Sequence, residues 1–231
     1  MKLPELELGN IYVAKKLSKC LPKNSVIHFG IFNSLRSWTF FELDPSIQSS
    51  CNVGGFGIDG AVSTLIGASL ANPQKLHFLS VGDLAFFYDL NSLGNRHIGN
   101  NVRILLVNNG RGVEFRKKDH PGYAFGEDAD MYIAAGGHYG RMSKQLVKNY
   151  VEDLGFEYLT ASSKEEFEAV CEKFVDESIT DRPLLLEVFV NHANDVKNLD
   201  AVRHIMGISI PVVEKLKEKA KDSVRALLGK I

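Results

Sequence analysis

The sequence predicts a three-layer α/β/α domain with a parallel central sheet. Short apolar runs alternate with stretches of helical spacing along most of the 231 residues. Several of these runs are apolar throughout, which is typical of strands covered by helices on both faces. The prolines after Pro4 all fall between the proposed elements, where they interrupt neither a helix nor a strand.

The predicted elements follow one another with right-handed crossovers, as expected for a parallel sheet. Strands are expected at 26–29, 76–81, 103–107 and 184–190, and more weakly at 48–52 and 157–160. Helices are expected at 11–20, 61–71, near 84–96, near 127–135, at 143–154 and at 163–178. Residues 110–125 are predicted to be irregular.

Residues 1–209 are predicted to form one domain and residues 210–231 a C-terminal amphipathic helix. This tail begins near Pro211 and carries apolar residues on one face, namely Val212, Val213, Leu216, Ala220, Val224 and Leu227. Charges of both signs on the other face favour a helix docked on its own domain or on a partner over a membrane-bound helix.

Composition argues against several classes of protein. Hydrophobic residues make up 45% and charged residues 24%, which is typical of an ordered domain. The net charge of −1 argues against a nucleic-acid partner. Neither a membrane span nor a signal peptide is expected. Cys20, Cys51 and Cys171 are widely spaced, so neither a disulfide framework nor a zinc site is predicted, and a cytoplasmic protein is expected.

A glycine-rich turn before the helix at 61–71 can be interpreted in two ways. Gly55, Gly57 and Gly60 fit the G-x-G-x-x-G dinucleotide motif, and Asp83 ends a later strand. However, the preceding strand is polar, and Asp59 would lie at the helix N-terminus, where a pyrophosphate binds. A dinucleotide-dependent oxidoreductase therefore stays as an alternative.

Polar residues also follow two neighbouring strands. Val81-Gly82-Asp83 ends one strand and Asn108-Asn109-Gly110 ends the next, so both groups are expected at the carboxyl edge of the sheet, where ligands bind. The Asp83 carboxylate, the Asn109 amide oxygen and a backbone carbonyl just beyond suit Mg²⁺. The helix near Leu84 would offer free N–H groups to a diphosphate. Separately, each feature could be a helix cap or a turn.

Together these residues resemble the GDG…NN motif of the thiamine-diphosphate (ThDP) enzymes, with Leu84 in place of the last glycine. The closer resemblance is to the C-terminal, diphosphate-binding domain of SEPHCHC synthase from menaquinone biosynthesis. Its GxSGIDG and GDLxxxYDLN segments are similar to GGFGIDG at 54–60 and GDLAFFYDLN at 82–91. The resemblance covers about residues 10–195 and implies a ThDP-binding fold.

The resemblance also implies a site for ThDP and Mg²⁺. Asp83, Asn109 and the backbone carbonyl of Arg111 would be the Mg²⁺ ligands. Ile58 would be the apolar wedge that bends the cofactor, and the implied cofactor-binding residues are Gly57, Ile58, Asp59, Gly82, Asp83, Leu84, Ala85, Asn109, Arg111 and Gly112. Residues 110–125 resemble a cofactor-covering loop of that family.

The sequence departs from the family at two substrate-binding arginines. Val53 follows Asn52 where one arginine is expected, and Trp38 stands at the position of the other, with Arg36 two residues earlier. These departures leave the menaquinone substrates open. Glu114 and Phe115 lie where loop residues of the family meet cofactor or substrate, and no catalytic role is assigned to them.

No catalytic residue is expected on this chain, because the activating glutamate of the family lies on a separate pyrimidine-binding domain. That domain would come from another chain or from a missing N-terminal region. The predicted function is the diphosphate- and Mg²⁺-binding half of a ThDP-dependent 2-oxo-acid decarboxylase or carboligase, a transferase or lyase similar to SEPHCHC synthase or acetolactate synthase. The expected assembly is a homo- or hetero-oligomer, and the main alternative is a non-catalytic module of the same fold.

Overall fold

The computed structural model describes residues 3–55, 57–132 and 142–205. Its centre is a six-stranded, all-parallel sheet of order β2-β1-β3-β4-β6-β5. The strands are β1 (Val26–Phe29), β2 (Gln48–Cys51), β3 (His77–Gly82), β4 (Val102–Asn108), β5 (Glu157–Ala161) and β6 (Leu184–Phe189). This sheet confirms the predicted parallel α/β class.

Helices cover both faces of the sheet. They are α1 (Asn10–Leu17), α2 (Asn33–Trp38), α3 (Ala61–Ala71), α4 (Asp83–Tyr88), α5 (Ala129–Tyr132), α6 (Leu146–Asp153), α7 (Lys164–Phe174) and α8 (His192–Ile205). One core contains side chains of α1, α7 and α8, and the other contains side chains of α3, α4 and α6. Because neighbouring residues of a strand point to opposite faces, Phe78 belongs to the first core and Leu79 to the second. The three predicted layers are therefore confirmed.

Some predicted elements differ from those observed. The helix expected near 84–96 is α4 followed by a separate 3₁₀ turn, Leu90–Gly94. No element was predicted at 33–38 or 192–205, where the structure has the helices α2 and α8. The helix expected near 127–135 is described only as α5, and the predicted C-terminal helix at 210–231 lies outside the described residues.

The edge strand β2 is exposed, whereas the segment before α1 is anchored in the core. β2 is the polar edge strand, and most of its residues are exposed. The segment before α1 is anchored by Leu6 and Leu8, which are buried in the first core. Within 3–55, 57–132 and 142–205, no helix has the length and apolar character needed to cross a membrane.

We expect Phe78→Ala to lower the free energy of unfolding by about 3–5 kcal/mol, because it leaves a cavity in the core. The Phe78 side chain is 1% exposed, and its ring packs edge-on against Phe174 at a centroid distance of 5.8 Å. Leu70→Ala on the exposed side of α3 is the control, with an expected loss below about 1 kcal/mol. Urea unfolding measures both, and equal losses would place Phe78 outside the stabilising core.

Candidate functional site

The sheet topology creates a crevice at its carboxyl edge. From β1 the chain runs to β2 on one side, and it then continues with β3 on the other side of β1. The connection after β1 therefore runs toward β2, and the connection after β3 runs the other way, toward β4. The gap between two such connections is where ligands bind in open α/β sheets. A cleft of about 350 Å³ lies at this point, lined by residues that follow β1, β3 and β4.

Most of the residues predicted for the site line this one cleft. They are Ile58, Gly82, Asp83, Leu84, Ala85, Asn109, Arg111 and Gly112. Gly57 and Asp59, in the turn before α3, are not among the lining residues. The structure therefore brings together residues from three separate segments, and their roles toward a cofactor stay predictions.

Strand register explains why Asp83 and Asn109 lie at the same edge. Gly82 at the end of β3 pairs with Val107 of β4. Asp83, which follows β3, therefore lies beside the end of β4, where Asn108 and Asn109 are found. Asp83 is 2% exposed and is the first residue of α4. Its carboxylate is thus held at the base of the cleft, beside the first turn of a helix whose N–H groups lie at the same edge.

The two consecutive asparagines have different surroundings. Asn108 does not line the cleft. Its Nδ2 donates to Glu187 Oε1 over 2.7 Å, and Tyr158 donates to Glu187 Oε2 over 2.7 Å. Burial raises the pKa of the Tyr158 hydroxyl, and the Glu187 charge raises it further. Asn108 therefore joins β4 to β6 and β5, and Asn109 is the one that faces the cleft.

A tight turn positions Asn109. Gly110 has a φ of 70°, a left-handed conformation that favours glycine. The Gly110 N–H donates to Asn108 Oδ1 over 3.1 Å, and the Arg111 N–H donates to Asn109 Oδ1 over 3.0 Å. These bonds fix the backbone from β4 to Arg111, where the third predicted ligand, a carbonyl oxygen, is located.

Asp195 is a functional candidate that the sequence did not reveal. It lies in the first turn of α8, is 2% exposed, and its Oδ2 accepts from Asn109 Nδ2 over 3.0 Å. Burial raises the pKa of the Asp195 carboxyl, hydrogen bonds from Asn10 and Asn109 oppose this effect, and the Asp83 charge adds to it. The sequence signal that could have indicated α8 is the helical spacing of its buried residues, Asp195, Asn198, Leu199 and Val202. Two of these four residues are polar, so they do not form an apolar helix face.

A cluster of charges surrounds Glu114, which lines the cleft. Arg36 Nη1 lies 2.9 Å from Glu114 Oε2, and Lys117 Nζ lies 2.6 Å from Glu114 Oε1. Trp38, at the position of a family arginine, is 5% exposed and donates from Nε1 to Ser80 Oγ over 2.9 Å, so it is a core residue. The positive charges of Arg36 and Lys117 are thus already paired with a carboxylate of the chain itself.

We expect Glu114→Gln to lower the free energy of unfolding by about 1–3 kcal/mol near neutral pH. Burial would by itself raise the pKa of Glu114, but Lys117 and Arg36 outweigh burial, and the pKa lies below its ordinary value of 4.5. A carboxyl with a lowered folded pKa stabilises the fold above the unfolded pKa, and this contribution is lost as pH falls through the folded pKa.

Urea unfolding of wild type and Glu114→Gln at a series of pH values checks this expectation. The difference between the two proteins should shrink as the pH falls below 4.5 and disappear in stronger acid. If the stability difference between the two proteins stays constant over this pH range, Glu114 is not stabilised by its ion pairs with Lys117 and Arg36.

The donor set of the cleft is consistent with Mg²⁺. Among the residues that the structure describes, no three His, Cys, Asp or Glu side chains cluster as a metal site. At the ends of β3 and β4 the cleft instead offers the Asp83 carboxylate, the Asn109 amide oxygen and backbone oxygens beyond β4. A few hard oxygen donors suit Mg²⁺, which keeps water and phosphate oxygens as its other ligands, and they do not suit zinc.

Comparison with known proteins supports the interpretation of these motifs. No protein-family model matches the chain. It is 35% identical over 202 residues to 2-succinyl-5-enolpyruvyl-6-hydroxy-3-cyclohexene-1-carboxylate synthase (SEPHCHC synthase) of Phocaeicola vulgatus. The chain is homologous to this synthase family. The predicted resemblance to SEPHCHC synthase, and with it to the ThDP-dependent enzymes, is thereby confirmed.

Two further SEPHCHC synthases give the same result. Identity is 31% over 201 residues for the Bacteroides fragilis protein and 36% over 187 residues for the Christiangramia forsetii protein. The matches cover 87%, 87% and 81% of this chain. The chain spans only about a third of the length of these SEPHCHC synthases, between 30% and 35%.

Proposed function

We propose that this chain is the diphosphate- and Mg²⁺-binding part of a ThDP-dependent enzyme that acts on 2-oxo acids. One observation carries the proposal. In a homologue of the SEPHCHC synthases, Asp83, Asn109, Arg111 and Ile58 come from separate segments and line one cleft at the topological switch point. Such a cleft is the usual ligand site of this architecture.

Each of these residues has a defined task in the proposal. Asp83 and Asn109 would hold Mg²⁺ together with the carbonyl oxygen of Arg111. The N–H groups of Leu84 and Ala85 would bind the diphosphate, because the first N–H groups of a helix have no partner within it. Ile58 would provide the apolar surface against which the cofactor bends. When bound, ThDP supplies the electron sink for cleaving the bond beside the carbonyl of a 2-oxo acid.

The activating glutamate is proposed to come from a pyrimidine-binding domain, either on another chain or in another region of a longer protein. The short coverage of the SEPHCHC synthases supports this part of the proposal.

We propose a small 2-oxo acid as substrate and leave the acceptor unassigned. Val53 and Trp38 replace the two arginines expected in the family, and Glu114 already pairs with Arg36 and Lys117. Arg111, which lines the cleft, likewise pairs with Asp130. These positive charges are thus already paired, whereas a dicarboxylate substrate would need charges that are free to bind it. This is the reason why the particular substrates of the SEPHCHC synthases are not carried over.

The dinucleotide alternative has less structural support. Its glycine motif follows β2, which is an exposed edge strand, whereas the first strand of a dinucleotide-binding unit is buried in the centre of the sheet. A competition experiment distinguishes the two functions. We expect ThDP with Mg²⁺ to bind in a calorimetric titration and an excess of NADH to leave this binding unchanged. Binding of NADH in preference to ThDP would refute the proposal.

A further inference from the structure

The carboxylate of Asp195 connects α8 to two residues that line the cleft, Asn10 and Asn109. Its Oδ1 accepts from the Asn10 backbone N–H over 2.6 Å, and its Oδ2 accepts from Asn10 Nδ2 over 3.0 Å. The same Oδ2 accepts from Asn109 Nδ2 over 3.0 Å. Asp195 is 2% exposed, so these bonds are formed in a site with little access to water.

These contacts determine which end of the Asn109 amide faces the cleft. A carboxylate accepts hydrogen bonds and donates none, so only the amide nitrogen of Asn109 can face Asp195. The amide oxygen accepts from the Arg111 N–H over 3.0 Å. Since an amide oxygen has two lone pairs, one lone pair of Asn109 Oδ1 is left for a further partner on the cleft side.

We propose that Asp195 is a positioning residue that orients the Asn109 amide so that its oxygen is available to a divalent cation in the cleft. The proposal rests on the function proposed above. Turning the amide over would direct its oxygen at the Asp195 oxygens and lose a charge-assisted hydrogen bond. It would also direct an N–H donor toward the cation. Together with the hydrogen bond from the Arg111 N–H to Oδ1, this buried hydrogen bond sets the amide orientation in which Asn109 is a ligand.

A purely structural role is the competing explanation. Asp195 also joins α8 to the start of α1 through Asn10, and the packing here is close. A Cβ at Gly9 would lie 2.7 Å from Asp195 Oδ1. Asn198, on the same helix, provides the matched control. Its side chain bonds the Glu7 backbone N–H and carbonyl over 3.0 and 2.8 Å, so it fastens the same two segments. No hydrogen bond of the described residues joins Asn198 to Asn109.

An exchange of side chains separates the two explanations. In Asp195→Asn the shape is kept, but the new amide nitrogen lies where both Asn109 Nδ2 and Asn10 Nδ2 donate. Both of these amides are therefore expected to turn over, and Asn10 can then accept from the new amide through its oxygen. Adding Asn109→Asp restores the hydrogen bond in the reverse direction. The carboxylate at position 109 then accepts from the amide at position 195 and keeps an oxygen for the cation. The exchanged protein has the same net charge as wild type.

The experiment measures the affinity for ThDP with Mg²⁺ by calorimetry and the stability by urea unfolding. We expect Asp195→Asn to weaken binding by about 10-fold to 100-fold, as loss of an outer partner of a metal ligand does. The double variant, Asn109→Asp with Asp195→Asn, is expected to bind within about threefold of wild type. Asn198→Ala is expected to lose stability and keep the wild-type affinity.

Three results would overturn the proposal while the wild type still binds. These are wild-type affinity of Asp195→Asn, failure of the double variant to regain affinity, and a double variant that does not fold. If Asp195→Asn alone does not fold, the affinity of the double variant is the test. Affinity near that of wild type supports the proposal, and lost affinity contradicts it. Absence of ThDP binding by the wild type is a separate result, which would refute the proposed function itself.

Discussion

Asp83→Ala is expected to weaken binding of ThDP with Mg²⁺ by more than about 100-fold. Loss of an outer partner of a metal ligand typically costs 10-fold to 100-fold in metal affinity, and loss of a direct charged ligand should cost more. Asp83 is 2% exposed at the end of β3 and is the one carboxylate among the proposed ligands. A divalent cation beside a diphosphate would lack its only charged protein ligand in the variant.

Calorimetric titration of wild type and variant measures this effect. Asp153→Ala is the matched control, because it removes the same charge from an exposed position at the end of α6. That position precedes β5 and therefore lies at the amino edge of the sheet, away from the cleft. Urea unfolding shows whether Asp83→Ala remains folded. Equal affinity of wild type and Asp83→Ala would exclude Asp83 as a ligand.

The second large effect is expected on reconstitution. The chain alone should not turn over a 2-oxo acid, because the proposed activating glutamate belongs to a pyrimidine-binding domain. Mixing it with such a domain, in the presence of ThDP and Mg²⁺, should produce release of CO₂ from a small 2-oxo acid such as pyruvate. The physical reason is that the cofactor would then be held between two surfaces, one of which orients its reactive ring.

The Asp83→Ala chain serves as the control for this reconstitution. It should associate with the same domain and yet release no CO₂ above background. Activity in the Asp83→Ala mixture would show that the turnover does not depend on this cleft. Complete absence of turnover by the wild-type mixture, despite binding of ThDP, would favour a non-catalytic module.

Several parts of the fold could be predicted closely because their signals are local. The strand at 26–29 and the helix at 61–71 have the predicted bounds, since each is an apolar run between residues typical of turns. The helix expected near 84–96 was predicted too long. Asp89, directly after α4, accepts from the Ser63 N–H over 2.6 Å and satisfies the first turn of α3. α4 ends at Tyr88, one residue before this long-range contact, which no local pattern encodes.

The candidate site was predictable only where its residues directly follow strands of the sheet. Asp83 and Asn109 could be assigned to one edge because parallel strands end side by side. Asp195 could not, because α8 buries Asp195 and Asn198 on the face where apolar residues normally indicate a helix. Similarly, the pair Arg36–Glu114 joins α2 to the 3₁₀ turn Val113–Arg116, and no shared pattern in the sequence links these two segments. Such contacts depend on how the elements pack and not on the propensity of any segment.

The central claim is that this cleft binds the diphosphate of ThDP through Mg²⁺. Calorimetric titration of the wild-type chain with ThDP, first with Mg²⁺ and then with EDTA, tests it directly. Thiamine, which lacks the diphosphate, is the ligand control. We expect saturable binding of ThDP with Mg²⁺, and little binding of ThDP in EDTA or of thiamine under either condition. Equal binding of thiamine and ThDP, or binding of ThDP that is unaffected by EDTA, would contradict the claim.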